Sequence, residues 1–168
     1  MTRRSAVTGL ALLLAAALLA GCAAAPFERG AGVAALTARE AAAAGAERLG
    51  AEVIWGGRIL EVEYLEERTR LEVVAYPLDR RQLPQIDEPP EGRFLIDYPG
   101  FLEGVDYRAG RLVTASGPIR ALEQGQVGEQ RLDYPVLATE RVHLWPEGSP
   151  RSALRPRVHF GIGVIISR

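Results

Sequence analysis

Residues 53–64 read Val-Ile-Trp-Gly-Gly-Arg-Ile-Leu-Glu-Val-Glu-Tyr, and their alternating apolar side chains predict a β-strand with one buried face. The apolar side chains change parity within this stretch, from Val53 and Trp55 to Leu60, Val62 and Tyr64. A change of parity moves side chains to the opposite face, so we expect one inserted residue between the two halves. The pair Gly56-Gly57 is the predicted position of this bulge or bend. The fold should therefore be organised around one long, bent strand.

Further alternating segments predict that the rest of the domain is mainly β. Strands are expected within residues 71–75, 94–98, 110–115 and 136–144. A polar, proline-rich loop at 79–92, a short turn or helical piece at 101–107 and a glycine- and glutamine-rich turn at 120–131 are expected between them. Five bent strands with glycine corners predict a small OB-like Greek-key barrel, with a sandwich of similar size as the alternative.

A short helix is predicted before the first strand. Thr37 and Glu40 have the spacing of a capping box, and the alanines that follow favour a helix at 38–49. Gly50 is a suitable residue to end it. The folded domain is accordingly predicted to cover residues 37–148.

The N-terminal residues have the layout of a lipoprotein signal peptide. Two arginines precede an apolar stretch that closes with Leu19-Ala20-Gly21-Cys22. The apolar run from Leu10 to Ala20 has eleven residues, whereas a membrane-spanning helix needs about 20. We interpret Leu19, Ala20 and Gly21 as a lipobox, residues 1–21 as a cleaved signal peptide, and Cys22 as the acylated residue that binds the membrane. A stray cysteine in an ordinary signal peptide is the alternative.

The sequence after the proposed cleavage site limits the classes of function. Residues 22–36 are small and are expected to form a flexible tether. Removal of residues 1–21 leaves 147 residues with 18 basic and 21 acidic side chains, which argues against nucleic-acid binding. Cys22 is the only cysteine, so no disulfide is expected within the chain.

No catalytic motif or cofactor-binding motif is present in the sequence. The two histidines, His143 and His159, lie in different segments, and no metal site or cofactor is predicted. We therefore expect a protein that is not an enzyme. If the barrel binds a glycan, peptide or small ligand, the candidate side chains for a ligand face are those of Trp55, Tyr64, Tyr76, Tyr98 and Tyr107.

The last twenty residues form a separate predicted region. Residues 149–157 are a Pro/Arg-rich spacer, and 158–168 alternate apolar and other side chains as a strand does. This strand is expected either to pack on the barrel of its own chain or to be donated to an envelope protein or another copy.

The run Val53–Ile59 also resembles the start of the Slp family of starvation-inducible outer-membrane lipoproteins. Similar motifs follow in family order over residues 50–146, among them Leu71-Glu72-Val73, Gly92-Arg93-Phe94-Leu95, Gly110–Thr114 and Leu144-Trp145-Pro146. One departure is Glu103-Gly104, where the family has Asp-Pro. The resemblance implies a lipoprotein without catalytic residues, with a structural or interaction role under starvation or stress. Because Ala23 rather than aspartate follows the cysteine, we expect the outer membrane, facing the periplasm.

Overall fold

The computed structural model describes residues 25–127 and 129–148. The signal peptide, the lipobox with Cys22 and the alternating segment 158–168 therefore lie outside the described residues. Within the described residues no helix is both long and apolar enough to cross a bilayer.

The described residues form one helix and six strands. The helix α1 spans Ala38–Ala44, with a 3₁₀ turn at Gly45–Arg48. The strands are β1 Glu52–Tyr64, β2 Arg68–Tyr76, β3 Gly92–Pro99, β4 Leu112–Val127, β5 Gln130–Ala138 and β6 Val142–Leu144.

Five of the strands close into a barrel. The sheet order is β1-β2-β3-β5-β4, and an antiparallel pairing of β1 with β4 closes the ring. Strands β3 and β5 pair in parallel, whereas the other pairs are antiparallel. This connectivity confirms the predicted mainly β, OB-like Greek-key barrel with a short N-terminal helix.

Strand β1 contains the predicted inserted residue, but the predicted position is wrong. The register with β2 shifts between Ile59 and Glu61, so Leu60 is the bulged residue. Gly56 and Gly57 instead allow neighbouring strands to approach closely. A Cβ atom on Gly57 would lie 1.9 Å from the Val74 carbonyl oxygen.

The core fills the interior of the barrel. Its largest fully buried side chains include Phe94, Ile59, Leu71 and Ile96. Helix α1 contributes Ala38 and Ala41, and the connection between β3 and β4 contributes Leu102. This connection consists of turns rather than a helix.

The capping box of α1 is confirmed. The Glu40 amide donates to the Thr37 hydroxyl at 3.1 Å, and the Thr37 amide donates to a Glu40 carboxylate oxygen at 2.8 Å. The helix is shorter than the predicted 38–49 because Gly45 takes a positive φ of 65°. The chain then continues as the 3₁₀ turn.

Two predicted segments in the second half are wrong. Residues 120–131, predicted as a turn, mostly form a hairpin in which β4 continues to Val127 and β5 begins at Gln130. Residues 136–144 are not one strand. They contain the end of β5 and the separate strand β6, which pairs with β4 at 113–115.

The packed part of the chain extends into the predicted tether. The Ala34 amide donates to the Glu52 carbonyl at 2.8 Å, and Trp55 Nε1 donates to the Leu36 carbonyl at 2.6 Å. Further toward the N-terminus, the side chain of Gln82 exchanges two hydrogen bonds with the backbone of Phe27, at 3.0 and 2.7 Å. Since Gln82 is fully buried, the loop at 79–92 is not wholly solvated as expected.

Candidate functional site

The five aromatic side chains considered for a ligand face are not brought together on one surface. Trp55 is buried and packs edge-on against Phe94, with ring centroids 5.4 Å apart. Tyr98 and Tyr107 pack against the core, and Tyr76 is half-buried.

Tyr64 is the exposed member of the five. It stacks on the exposed ring of Phe101, with centroids 5.2 Å apart. The adjoining loop passes so close that a Cβ atom on Gly104 would lie 2.5 Å from the Tyr64 hydroxyl.

A different group of side chains converges on the outer face of the barrel. A cavity of about 190 Å³, here called the strand-face groove, lies between strands β1 and β2 and the β4–β5 hairpin. Its polar lining consists mainly of Glu61, Glu63, Arg70, Glu72, Glu123 and Tyr134.

The bulge at Leu60 is what places two of these glutamates in the groove. Before the bulge, odd-numbered residues such as Ile59 point into the core. The extra residue reverses this parity, so Glu61 and Glu63 are exposed on the outer face opposite Glu72 and Arg70 of β2.

Arg70 is at the centre of an ion-pair network along the groove. Its guanidinium forms a two-bond pair with Asp97, at 2.6 and 2.8 Å, and another with Glu123, at 2.6 and 2.9 Å. These hydrogen bonds, first to Asp97 and then to Glu123, raise the pKa of Arg70 above its ordinary value. Arg70 is therefore a fixed cation that two carboxylates already neutralise.

The remaining carboxylates of the groove differ in their pairing. Glu72 accepts a hydrogen bond from Arg93 at 2.7 Å. Among the described residues, Glu61 and Glu63 have no ion pair or side-chain hydrogen bond. The groove consequently presents uncompensated negative charge, which favours a cationic ligand.

Tyr134 lies beside this charge with an unused hydroxyl. The residue is 5% exposed, and its hydroxyl makes no hydrogen bond to any described residue. Burial, and then the nearby Glu72 carboxylate, raise the pKa of Tyr134, and the neighbouring Arg93 guanidinium opposes this rise. Its ring lies against Gly125, where a Cβ atom would come within 2.5 Å of it.

A hydrophobic cluster supports the groove from beneath. Leu95, Tyr134 and Val136 are buried together on the face opposite the barrel core, with Ala121 packed against them. The cluster holds the β4–β5 hairpin against β3, so the groove is built on packed strands rather than on loops.

A second cavity, of about 690 Å³, has a basic lining and is here called the arginine cavity. It is lined by Arg58, Arg108 and Arg111 together with Trp145 and Gly148. Arg111 donates to the backbone carbonyls of Asp106 and Trp145, at 2.8 and 3.0 Å. Glu147 pairs with Arg108 and with Arg111.

No metal site is found in the part of the chain that the structure describes. It contains no group of three or more His, Cys, Asp or Glu side chains that could hold an ion. His143 packs edge-on against Trp145 at 4.5 Å, and burial lowers its pKa.

Comparison with known proteins identifies the family to which the chain belongs. The model of the outer membrane lipoprotein Slp family matches residues 19–161. The uncharacterized lipoprotein YeaY of Escherichia coli K12 is 36% identical over 97 residues, or 58% of this chain and 50% of YeaY. The outer membrane protein Slp of the same organism is 28% identical, over 58% of this chain and 51% of Slp.

Two further similarities were also found. An uncharacterized protein of Haemophilus influenzae is 26% identical over 54% of this chain and 49% of that protein. The chain thus spans about half the length of the curated relatives that it matches. The structure of Schizosaccharomyces pombe Pot1pC bound to ssDNA aligns with a TM-score of 0.31 and 9% identity, over 62% of this chain and 84% of that chain.

Proposed function

Because this chain belongs to the outer membrane lipoprotein Slp family, we propose that it is a lipid-anchored envelope protein that binds a cationic protein segment in its strand-face groove. The anchor is an acylated Cys22 after the lipobox Leu19-Ala20-Gly21, and the domain faces the periplasm from the outer membrane. The family match and the residue after the cysteine, Ala23, support this location. The resemblance to a family of starvation-inducible lipoproteins supports a role under starvation or envelope stress.

One observation carries the proposed binding. Arg70 is already neutralised by two carboxylates, whereas Glu61 and Glu63 on the same face have no partner among the described residues. Exposed, unpaired carboxylates on a rigid strand give a cationic partner both attraction and a fixed register. The buried, unpaired hydroxyl of Tyr134 adds a polar group with unused hydrogen-bonding capacity.

The same groove supports a role without catalysis. Acid–base catalysis near neutral pH needs a group whose pKa lies close to the working pH. The pKa values of Arg70 and Tyr134 are both raised, which moves two naturally weak acids further from neutrality. Neither of these two groups is therefore suited to exchange a proton near neutral pH.

Crosslinking in cells tests this binding. The full-length lipoprotein carrying Glu61→Gln and Glu63→Gln should capture its partner protein at least about tenfold less than the unmodified chain, since one lost charge-assisted contact of 1.4 kcal/mol is already tenfold. A matched control carries Glu47→Gln and Glu88→Gln, two exposed glutamates outside the groove. Equal capture by both variants, or capture of a glycan and no protein, would contradict the proposal.

The anchor has its own test. Cys22→Ser should release the protein from the outer-membrane fraction into the soluble periplasmic fraction, because the acyl chains would be lost. Full recovery of this variant in the membrane fraction would contradict acylation at Cys22.

A further inference from the structure

The arginine cavity carries more positive charge than its own lining neutralises. Arg58, Arg108 and Arg111 line it together with one acidic residue, Glu147. We propose that the cavity is a second binding site, which takes a dianionic phosphate group, either free or carried by an organic phosphomonoester. As far as the structure describes them, the linings of this cavity and of the strand-face groove share no residue. The proposal therefore goes beyond the function proposed for the groove.

Strand pairing positions one side of the cavity. Arg58 of β1 lies opposite Leu112 of β4 in the antiparallel register. On the other side of β4, the Trp145 amide donates to the Leu112 carbonyl at 2.9 Å. All three residues line the cavity. The backbone therefore fixes their spacing, which is what a binding site needs if its geometry is to be set before the ligand arrives.

Arg111 is held in place by backbone carbonyls. Its side chain is 12% exposed. Its guanidinium donates to the Asp106 carbonyl at 2.8 Å and to the Trp145 carbonyl at 3.0 Å. These acceptors are neutral, so they orient the guanidinium without cancelling its charge. A guanidinium has more N–H donors than these two bonds use. Because it is already oriented, it loses little conformational entropy on binding an anion.

Arg58 is the cation of the cavity that lacks a partner. It is half-buried, and it makes no hydrogen bond or ion pair with any residue that the structure describes. Glu147, by contrast, pairs with Arg108 and lies 3.6 Å from Arg111. One carboxylate shared by two arginines leaves Arg58 uncompensated, and a half-buried positive charge of this kind attracts an anionic ligand.

Charge and size indicate the class of ligand. Three arginines and one glutamate give the described lining a net charge of +2. A phosphomonoester carries about −1.5 to −2 charges at pH 7 and offers three acceptor oxygens, which arginines bind through paired hydrogen bonds. A carboxylate or a phosphodiester carries a single negative charge and would leave the lining positive. The volume of about 690 Å³ also leaves room for an organic group beside Ile86 and Leu112.

Isothermal titration calorimetry of the full-length lipoprotein in a neutral detergent tests the site. Methyl phosphate should bind with a Kd below about 1 mM. Dimethyl phosphate, which carries one negative charge, should bind at least about tenfold more weakly, because it can form fewer charge-assisted hydrogen bonds. No saturable binding of methyl phosphate, or equal affinity for the two compounds, would overturn the proposal.

Two substitutions in the lining should change the affinity for methyl phosphate in opposite directions. Arg58→Gln should weaken binding at least about tenfold, because it removes the unpaired cation. Glu147→Gln should strengthen binding severalfold, because Arg108 and Arg111 lose the carboxylate that competes for them. The matched control, Arg120→Gln, removes an exposed arginine of β4 outside the cavity and should leave the Kd unchanged. Equal affinities of Arg58→Gln and the control, or no gain from Glu147→Gln, would overturn the proposal.

Titrations with inorganic phosphate and with glucose 6-phosphate distinguish the two sources of the phosphate group. We expect glucose 6-phosphate to bind more tightly, because the cavity also has room for its sugar. Equal affinity would support the phosphate site and assign it to free phosphate, whereas binding of neither compound would overturn it. These results are separate from partner capture by the Glu61→Gln and Glu63→Gln variant, which tests the proposed function at the strand-face groove.

Discussion

Gly57→Ala tests whether strand β1 depends on close approach rather than on a bend at its glycines. A Cβ atom at this position would lie 1.9 Å from the Val74 carbonyl oxygen and 2.7 Å from its carbon. An ordinary carbon–oxygen contact is about 3.3 Å, so β1 and β2 would have to separate by more than 1 Å. The clash is with backbone, which cannot rotate away as a side chain can.

The expected cost follows from this separation. Overpacking of this kind costs about 1–3 kcal/mol. Weakening two of the ladder hydrogen bonds around the Gly57–Ala75 pair adds about 1 kcal/mol for each bond. The total of about 3–5 kcal/mol is a large part of the 5–15 kcal/mol that typically stabilises a domain.

Thermal unfolding followed by far-UV circular dichroism measures this cost. At about 3 °C per kcal/mol, the Tm of Gly57→Ala should fall by about 10–15 °C. The control is Gly32→Ala, where no atom lies within 4 Å of the added Cβ, and its Tm should stay within about 2 °C. A Tm of Gly57→Ala equal to that of the control would refute the close-approach explanation.

Three further substitutions examine the groove and β6. Arg70→Met should lower the free energy of unfolding, measured in urea, by about 1–3 kcal/mol, because Asp97 loses a partner that donates two hydrogen bonds in a half-buried site. An unchanged free energy of unfolding would show that the ion pair adds no net stability. Tyr134→Phe should leave the free energy of unfolding unchanged or raise it by up to about 1 kcal/mol in the same assay, because the buried hydroxyl has no hydrogen bond to lose. A marked destabilisation would show that the hydroxyl has a hydrogen-bond partner. Burial lowers the pKa of His143, so its contribution to stability is complete above the unfolded value of about 6.5 and is lost as the pH falls toward the lowered folded value. His143→Gln should flatten this part of a plot of Tm against pH, and an unchanged plot would count against it.

Local sequence patterns predicted those helix and strand positions that depend on interactions between residues close together in the chain. The Thr37–Glu40 spacing predicted the capping box because both hydrogen bonds of that motif lie within four residues. The alternation at 71–75 and 94–98 predicted β2 and β3, since one face of each is buried in the core.

The pattern of β1 predicted an inserted residue but not its position. Glycine is the usual sign of a bulge, so the sequence favoured Gly56-Gly57. The requirement for glycine there comes instead from the neighbouring strands, in particular from Val74. Such long-range crowding cannot be read from local sequence, and the bulge fell on Leu60.

The strand-face groove depends on the same kind of long-range information. Arg70 and Asp97 are 27 residues apart, and Arg70 and Glu123 are 53 apart. The sequence also predicts a turn at Glu123, because residues 120–131 are rich in glycine and glutamine. Only the pairing of β4 with β5 brings Glu123 opposite Tyr134 and beside the other groove residues.

The contacts of the N-terminal segment change how an acylated Cys22 would hold the domain. The predicted tether of residues 22–36 would reach about 50 Å when fully extended. Gln82 binds the Phe27 backbone, and the Arg141 guanidinium lies 5.4 Å above the Phe27 ring. Only four residues would therefore separate an acylated Cys22 from a fixed point on the barrel. The five residue-to-residue steps from Cys22 to Phe27 extend at most about 18 Å. The surface around Phe27 and Arg141 would therefore stay close to the membrane, which restricts the orientations in which the domain can meet a partner.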